Sequence, residues 1–260
     1  MAKRNVRGSE QRNRKRFLPA LLALLLVGTA IWFCTDRLFY GQPHNLYTPE
    51  DFEFKNGYLT LKAPGSRLGI DVSRYQGEID WTAVKNAGIE FVFVRVGLRS
   101  AHDGLLYEDT RARENLTGAR AAGLQVGAYF FSQAATKEEA RAEAEFALDL
   151  LKDYPLDLPV AFNWETVDGK NYEITPDSLT AITKTFCTAI EEAGYQSMVY
   201  FNKEHARHFF DVKALSGYKI WYAQYADCPD IACKPEYWQY TDAGLIPGIS
   251  EKVDINLYLP

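Results

Sequence analysis

The sequence predicts an α/β protein, an irregular (β/α) barrel of the TIM-barrel type preceded by a single N-terminal transmembrane helix. From about residue 67, eight short apolar runs typical of strands alternate with stretches of helical periodicity. This alternation implies parallel strands joined by right-handed crossovers, and eight strands in about 190 residues would close a barrel. The last strands follow one another too closely for full helices, so we expect an irregular barrel. A doubly wound open sheet is the alternative, although no glycine-rich phosphate turn follows the first strand.

The N-terminal region has the charge pattern of a membrane anchor. Residues 1–16 contain seven basic side chains and one acidic one, and residues 17–34 are 18 residues without a charge. An uncharged run of this length can cross a bilayer as a helix, and its basic flank places the N-terminus in the cytoplasm. We therefore predict a cytoplasmic segment over 1–16 and a transmembrane signal-anchor over 17–34. The rest of the chain would lie outside the cell membrane of a bacterium.

Two other interpretations of residues 17–34 remain open. Gly28-Thr29-Ala30 supplies small residues of the kind found at signal-peptide cleavage sites, and cleavage would give a secreted protein. The apolar run continues over residues 31–33, which favours an uncleaved anchor. A buried core helix is the third interpretation, and the step in charge across the segment argues against it.

The chain beyond the basic segment is acidic. Residues 17–260 contain 22 basic and 33 acidic side chains, a net charge of −11. Nucleic-acid binding needs clustered Lys and Arg side chains that neutralise phosphates, so this composition excludes nucleic acid as a partner. We expect a monomer that uses no metal or cofactor.

Residues 35–66 are predicted to form a linker that contains a β-hairpin. Apolar and polar residues alternate in FEFKNGYLTLK, and Asn56-Gly57 at its centre is a strong signal for a two-residue turn. We place the boundary at residue 67, so that 67–260 is one domain.

Several helix ends in the main domain have recognisable capping residues. Three helical stretches stop at a glycine, the residue that most readily adopts the left-handed conformation at a helix C-terminus. These glycines are Gly88, Gly123 and Gly194. Thr136 fits as one N-cap, and either Thr175 or Asp177 fits as another.

The cysteines are compatible with export. Cys228 and Cys233 are close enough in sequence to close a small disulfide loop, and two free thiols are the alternative. Cys187 falls in a helical pattern and is expected to be a small buried apolar residue.

Four polar residues stand where predicted strands end or, in the last case, within the final strand. Asp71 ends the first strand, Asn163 and Glu165 end the fourth, and Asp254 lies in the last. Chemistry in a (β/α) barrel takes place at the C-terminal ends of the strands, and barrel closure brings the first and last strands together. We therefore expect these four side chains to converge on one mouth.

The motifs around these residues resemble glycoside hydrolase family 25. The resemblance runs over about 67–260, through GIDVSRYQGEIDW, FVFVRVG, GAYFFS, LPVAFNWET, IWYAQY and YWQYTDAGLIPGISEKVDINLY. This family contains the lysozymes that cut the linkage from muramic acid to glucosamine in peptidoglycan. The resemblance implies an irregular β/α barrel and hydrolysis with retention of configuration.

The resemblance also implies residue roles. The family's strand-four motif is acid–x–Glu, in which Glu is the proton donor, so that role falls on Glu165. The first-strand and last-strand acids match Asp71 and Asp254, which would shape the site and stabilise an oxocarbenium-like transition state. The departure is Asn163, where the family usually has an Asp that assists the 2-acetamido group of the substrate. An Asn can still accept that N–H but contributes no charge.

Further residues near strand ends are candidates for sugar binding. They are Tyr129, Tyr222, Gln224, Trp238 and Arg95. Tyr and Trp at such positions also serve as barrel packing, and Arg95 would either orient a site carboxylate or pair with one for stability. His205 and His208 have the spacing of a metal pair, but no third ligand is evident, so no metal site is predicted.

Two functions follow from these observations. The first is a membrane-anchored muramidase that remodels the cell wall, with Glu165 as general acid and base. The second is a catalytically weak or silent peptidoglycan-binding domain, and Asn163 is the residue that separates the two.

Overall fold

The structure, a computed structural model, describes residues 46–167, 173–231 and 233–260. The predicted cytoplasmic segment 1–16, the predicted signal-anchor 17–34 and the start of the predicted linker lie outside the described residues. Within those three ranges, no helix has both the length and the apolar character required to cross a bilayer.

The described residues form eleven strands and five α-helices. The strands are β1 Phe52–Lys55, β2 Tyr58–Leu61, β3 Arg67–Val72, β4 Phe91–Arg99, β5 Leu106–Glu108, β6 Gln125–Ser132, β7 Val160–Trp164, β8 Ser197–Asn202, β9 Lys219–Ala223, β10 Tyr237–Gly244 and β11 Val253–Tyr258. The helices are α1 Trp81–Asn86, α2 Ala112–Ala121, α3 Lys137–Leu151, α4 Pro176–Glu192 and α5 Lys203–His208.

Eight of the strands close into a barrel, which confirms the predicted fold class for the main domain. Their order is β3–β11–β10–β9–β8–β7–β6–β4, and β3 also pairs with β4 to close the ring. Neighbouring strands are parallel except at β11, which is antiparallel to both β10 and β3. The connection over residues 245–252 is too short for a parallel crossover, so β11 must return in the opposite direction.

The predicted helix ends agree with the structure. The three C-terminal glycines all have positive φ values, which a side chain would make costly. The side chain of Thr136 accepts a hydrogen bond from the N–H of Glu139, and that of Thr175 accepts one from Ser178. Thr175 is therefore the N-cap of α4, and Asp177 lies within its first turn.

Side chains alternate between the inside and the outside of the barrel. Aromatic rings on β4, β9 and β10 meet across the inside, for example Phe93 stacked on Trp221 with ring centroids 4.7 Å apart. Gly69 and Gly127 make room for these rings, since a Cβ on Gly69 would lie 2.3 Å from the ring of Phe91. The alternate residues point outward, into the apolar layer between the strands and the helices.

The hairpin β1–β2, which lies in the predicted linker, packs against the barrel. Asn56 and Gly57 have φ values of 53° and 88°, as the predicted two-residue turn requires. The ring of Phe52 packs edge-on against the outward-facing Trp238, with centroids 5.2 Å apart. No α-helix among the described residues separates β9 from β10 or β10 from β11, and the hairpin covers apolar surface in that part of the barrel.

Replacing Phe52 with Ala is expected to lower the free energy of unfolding by about 3–5 kcal/mol, because it removes a buried ring and leaves a cavity against Trp238. Phe54, two residues along the same strand, is 77% exposed, and Phe54→Ala should change stability by less than about 0.5 kcal/mol. Urea unfolding of the two variants would check this. Equal effects of the two substitutions would show that the hairpin is not part of the cooperative core.

Candidate active site

A cavity of about 320 Å³ opens at the C-terminal ends of the parallel strands. Six of the residues predicted from sequence line it: Asp71, Arg95, Tyr129, Asn163, Glu165 and Asp254. They come from β3, β4, β6, β11 and the end of β7. The alternation of side chains explains why they meet, since five of them occupy inward-facing positions of their strands and Glu165 directly follows the end of β7.

Asp71 and Asp254 form an acidic pair. They lie directly opposite each other on β3 and β11, and their side chains hydrogen-bond to each other. Oδ2 of Asp71 also accepts hydrogen bonds from Nε2 of Gln239 at 2.9 Å and from Nδ2 of Asn256 at 2.8 Å. These donors stabilise the charged form of Asp71.

The pKa values of this pair place one proton on it near neutrality. Burial raises the pKa of Asp71 to about 6, against the effect of its two amide donors. Burial and the neighbouring Asp71 carboxylate raise the pKa of Asp254 to about 9. Between these values the pair shares one proton and one negative charge, and the two amide donors to Asp71 favour the charge on that residue, which lines the cavity.

Glu165 and Asn163 form the second pair, two residues apart at the end of β7. Nδ2 of Asn163 donates a hydrogen bond to Oε1 of Glu165 at 2.9 Å. Burial raises the pKa of Glu165, and hydrogen bonds from Asn163 and Tyr200 act in the opposite direction. Glu165 is thus an acid shifted toward the protonated form at the edge of the cavity.

Arg95 is the buried cation of the site. Its Nε and Nη2 both lie 2.7 Å from Oδ2 of Asp109, a carboxylate that also accepts from the backbone N–H groups of Arg74 and Arg111. The exposed ring of Tyr75 lies over the guanidinium group, 5.1 Å from its centroid. Of the two predicted roles, the ion pair with Asp109 is the one formed in the structure.

Three of the predicted sugar-binding residues lie outside the cavity, and this corrects the prediction. Tyr222 and Trp238 are 1% and 0% exposed, and both point into the layer outside the barrel. The hydroxyl of Tyr222 donates to the carbonyl of Asp230, and Nε1 of Trp238 donates to the carbonyl of Gln224. The side chain of Gln224 accepts from the N–H of Asp230 and holds the loop after β9. Tyr222 and Trp238 each lie one residue away from an inward-facing position, because their neighbours Trp221 and Gln239 are the residues that point into the barrel.

Sequence reasoning missed several residues that line the cavity. They are Ser73, Gln76, Tyr200, Trp221, Tyr225 and Gln239, together with the exposed Tyr75 and Asp242. Trp221 and Gln239 are the sequence neighbours of the predicted Tyr222 and Trp238. Side chains on a strand alternate between its two faces, so one residue known to point inward on each strand would have identified them. Nothing in the sequence alone marks Tyr75 or Tyr225 among many surface tyrosines.

Among the described residues, the cysteines and histidines do not form a second centre. Cys187, Cys228 and Cys233 are free thiols, and burial raises the pKa of Cys233 to about 11. In the described part of the chain, no cluster of His, Cys, Asp and Glu has the arrangement needed to hold a metal. His205 is buried beside Trp164, whereas His208 is exposed next to Glu204.

Replacing Asp254 with Asn is expected to remove a pH dependence of stability. In the folded protein Asp254 keeps its proton up to about pH 9, whereas in the unfolded chain it ionises near pH 3.9. The contribution of this raised pKa is therefore complete below about pH 4 and is lost as the pH rises toward 9. Between these limits the free energy of unfolding should fall by at most about 1.4 kcal/mol per pH unit from this site.

Urea unfolding of wild type and Asp254→Asn between pH 6 and 9 would measure this slope. The slope should be shallower in Asp254→Asn, and it should be unchanged in the surface control Asp149→Asn. Equal slopes in wild type and Asp254→Asn would contradict a protonated Asp254 in the folded state.

The sequence profile of the glycosyl hydrolases family 25 matches residues 70–249. The chain is 29% identical over 193 residues to the autolytic lysozyme of Clostridium acetobutylicum, which covers 72% of this chain and 54% of that protein. It is 43% identical over 65 residues to lysozyme M1 of Streptomyces globisporus, covering 25% of this chain and 20% of that protein. The chain thus spans about half or less of the length of these relatives.

Solved structures have the same fold. The modular autolysin LytC from Streptococcus pneumoniae superposes with a TM-score of 0.69 at 22% identity, over 80% of this chain and 52% of that chain. A family 25 glycosyl hydrolase from Bacillus anthracis superposes with a TM-score of 0.65 at 24% identity, over 75% of this chain and 89% of that chain. Together with the profile match over most of the chain, the barrel and its acidic cavity lead to one conclusion: the chain belongs to glycosyl hydrolase family 25.

Proposed function

We propose that the chain is an extracytoplasmic muramidase, held at the cell membrane by residues 17–34. It would hydrolyse the β-1,4 bond from N-acetylmuramic acid to N-acetylglucosamine in peptidoglycan. The observation that carries this proposal is the presence, in one cavity, of an acid with a raised pKa, Glu165, and a buried carboxylate, Asp71. Glycoside hydrolysis needs a proton donor for the leaving oxygen and negative charge near the cationic sugar ring.

The similar proteins support this substrate. An autolytic lysozyme is among the sequence relatives, and LytC has been solved in complex with a synthetic peptidoglycan ligand. The acidic cavity and the exposed tyrosines at its edge suit a polar sugar chain, because tyrosine offers a flat face and a hydrogen-bonding tip.

Glu165 is the proposed general acid. Its protonated carboxyl group donates to the glycosidic oxygen as the bond to the anomeric carbon breaks. The same group, then ionised, takes a proton from the incoming water and returns to its starting state. Burial raises the pKa of Glu165 and so increases the fraction of the group that is protonated at a given pH.

Asn163 orients the 2-acetamido group in this mechanism. Its Nδ2 is directed to Glu165, which leaves its carbonyl oxygen to accept the acetamido N–H. The acetamido oxygen attacks the anomeric carbon from the face opposite the leaving group, and water later opens the oxazolinium ion from the original side. Two inversions at one carbon give net retention. Asn163 adds no charge, so Asp71 is the source of negative charge for the cationic intermediate, and a carboxylate at residue 163 would add to it.

Digestion of purified peptidoglycan by the full-length chain would test this function. After borohydride reduction, mass spectrometry should find reduced muramic acid at the new chain ends, with none produced by Glu165→Gln. Proton NMR of a soluble glycan should show the β-anomer as the first product. Reduced glucosamine ends, or an α-anomer formed first, would exclude the proposed reaction.

A glycan-binding domain of low or no activity is the second candidate, and Asn163 is the observation that favours it. An amide at this position provides no charge to the developing cation. In that case wild type and Glu165→Gln would release equally little sugar, while both would still bind peptidoglycan in a sedimentation assay.

Replacing Asn163 with Asp is expected to increase kcat by about 10-fold or more, up to the 10²–10³-fold that one electrostatic contact can contribute. The new carboxylate also replaces a hydrogen-bond donor to Glu165 and adds like charge beside it, so the pKa of Glu165 should rise. The pH at which activity declines should move upward with it. Kinetics of both proteins from pH 5 to 9 would measure the two effects, and an unchanged kcat would show that Asp71 already supplies the required charge.

A further inference from the structure

The peptide bond that joins Glu165 to Thr166 is held at both edges by side chains. Its carbonyl oxygen accepts a hydrogen bond from Nε2 of Gln133 at 2.5 Å. Its N–H points at Nε2 of His205 at 3.5 Å, and the hydroxyl of Thr166 lies 3.2 Å from the same nitrogen. Because the two edges of a trans peptide face opposite ways, Gln133 and His205 hold it from opposite sides.

This peptide needs such partners because it lies past the end of the strand. The last residue of β7 is Trp164, and Glu165 follows it without strand pairing. The direction of the Glu165 carboxyl group depends on the backbone torsions of that residue. No strand pairing fixes the backbone torsions of Glu165. The side-chain hydrogen bonds to Gln133 and His205 fix them instead.

Gln133 reaches the peptide from the β6 side. It is buried, and its Nε2 also donates to the carbonyl of Ser132. Its own backbone N–H donates to Oε1 of Glu143 on α3, and this carboxylate is held by Arg99 at 2.7 Å. Gln133 is thus held by the buried carboxylate of an ion pair, and it reaches the Glu165 peptide from the end of β6, the strand next to β7.

His205 reaches the peptide from the β8 side. It lies in the first turn of α5, where its N–H donates to the N-cap side chain of Asn202. Its ring is packed edge-on against Trp164 and Phe209, with centroids 5.8 Å and 5.7 Å away. Burial lowers the pKa of His205 to about 4, and Glu204 is the charged neighbour acting in the opposite direction. The ring is therefore neutral, as an acceptor nitrogen must be.

The protonation of His205 follows from these contacts. If Nε2 accepts from the N–H of Thr166, the ring hydrogen is on Nδ1. Nδ1 is buried and has no hydrogen-bond partner among the described residues. Buried polar atoms without partners are rare in folded proteins, and one that persists beside a catalytic group calls for a functional explanation.

We propose that Gln133 and His205 are positioning residues that together fix the peptide bond after Glu165 and so aim its carboxyl group at the glycosidic oxygen. This inference rests on the proposed function for the identity of the reaction. Neither side chain lines the cavity, so neither touches the sugar. Their loss should therefore reduce the rate of the chemical step and leave substrate binding intact.

Two substitutions remove the hydrogen bonds while preserving shape. Gln133→Met keeps an unbranched side chain of similar length, and His205→Phe keeps a ring against Trp164. We expect each to lower kcat by about 10- to 100-fold with KM nearly unchanged, because small errors in aim are costly to catalysis. The double variant should lose less than the product of the two losses, since both residues hold one peptide.

His208→Phe is the matched control, because His208 is on the same helix but is exposed and pairs only with Glu204. It should leave kcat and KM unchanged. If the two test variants retain wild-type kcat, or if kcat and KM change together in proportion to a loss of melting temperature, the positioning role is excluded.

Two measurements are independent of activity. Nitrogen-15 NMR of the full-length chain should show the proton of His205 on Nδ1, and a proton on Nε2 would overturn the proposal. Carbon-13 NMR should show that the pKa of Glu165 moves in both test variants and not in His208→Phe, with the Glu165 resonance identified by its loss in Glu165→Gln. A chain that releases no sugar but shows these shifts would refute the proposed function and support the positioning role.

Discussion

Glu165→Gln is expected to lower kcat by about 10²–10⁴-fold, the range typical of the loss of a general acid. The amide keeps the size of the side chain and can still accept the hydrogen bond from Asn163, so the cavity should retain its shape. What it lacks is a proton that can be transferred to the leaving oxygen. KM should change little, because Glu165 contributes to bond cleavage more than to sugar binding.

Release of reducing ends from peptidoglycan would measure this loss. The control is Glu138→Gln, on the exposed first turn of α3, which should have wild-type activity. In the wild type, activity should fall as the pH rises through the raised pKa of Glu165, because only the protonated form is active. Substantial activity in Glu165→Gln would show that another group donates the proton.

The double substitution Asp71→Asn with Asp254→Asn is expected to lower kcat by about 10²–10³-fold, more than either single substitution. Near neutrality the pair carries one negative charge and one proton. Asp254→Asn alone leaves the charge on Asp71. Asp71→Asn alone removes the like-charge neighbour of Asp254, so the pKa of Asp254 should fall and the charge should reappear there. Only the double variant has no charge in this part of the cavity.

Kinetics of the wild type, the two single variants and the double variant would complete this cycle. In Asp71→Asn, the pH range of activity should follow the ionisation of Asp254. A shift of that range relative to wild type would show that the negative charge has moved from residue 71 to Asp254. If kcat falls equally in Asp71→Asn and in the double variant, a charge on Asp254 does not replace one on Asp71. The charge would then have to be on Asp71 itself.

The strand ends were the most predictable part of the site. Asp71 and Glu165 follow apolar runs whose boundaries are clear in the sequence, and barrel geometry then brings them together. The side of the sheet to which a residue points was harder, as Tyr222 and Trp238 show. Residues 220–223 and 237–238 are all apolar or aromatic, so this part of each run lacks the alternation that would fix which side chains point inward.

Long-range partners were the least predictable part. Gln239 and Asn256 hold Asp71 from strands about 170 and 185 residues further along the chain. Amides are common in sequences, and only the assembled barrel shows which of them face a carboxylate. The hairpin was predictable as a local unit from Asn56-Gly57, but its packing on Trp238 is a tertiary contact that no local pattern encodes.

The reversed direction of β11 determines where the chain leaves the barrel. Because β11 runs back from the mouth, its end pairs with the start of β3, and the guanidinium of Arg67 lies over the ring of Tyr258 at the opposite end of the barrel. A fluorescent tag or an affinity handle fused after Pro260 would therefore emerge behind the barrel. The open end would stay clear for a polymer of any length to lie across it.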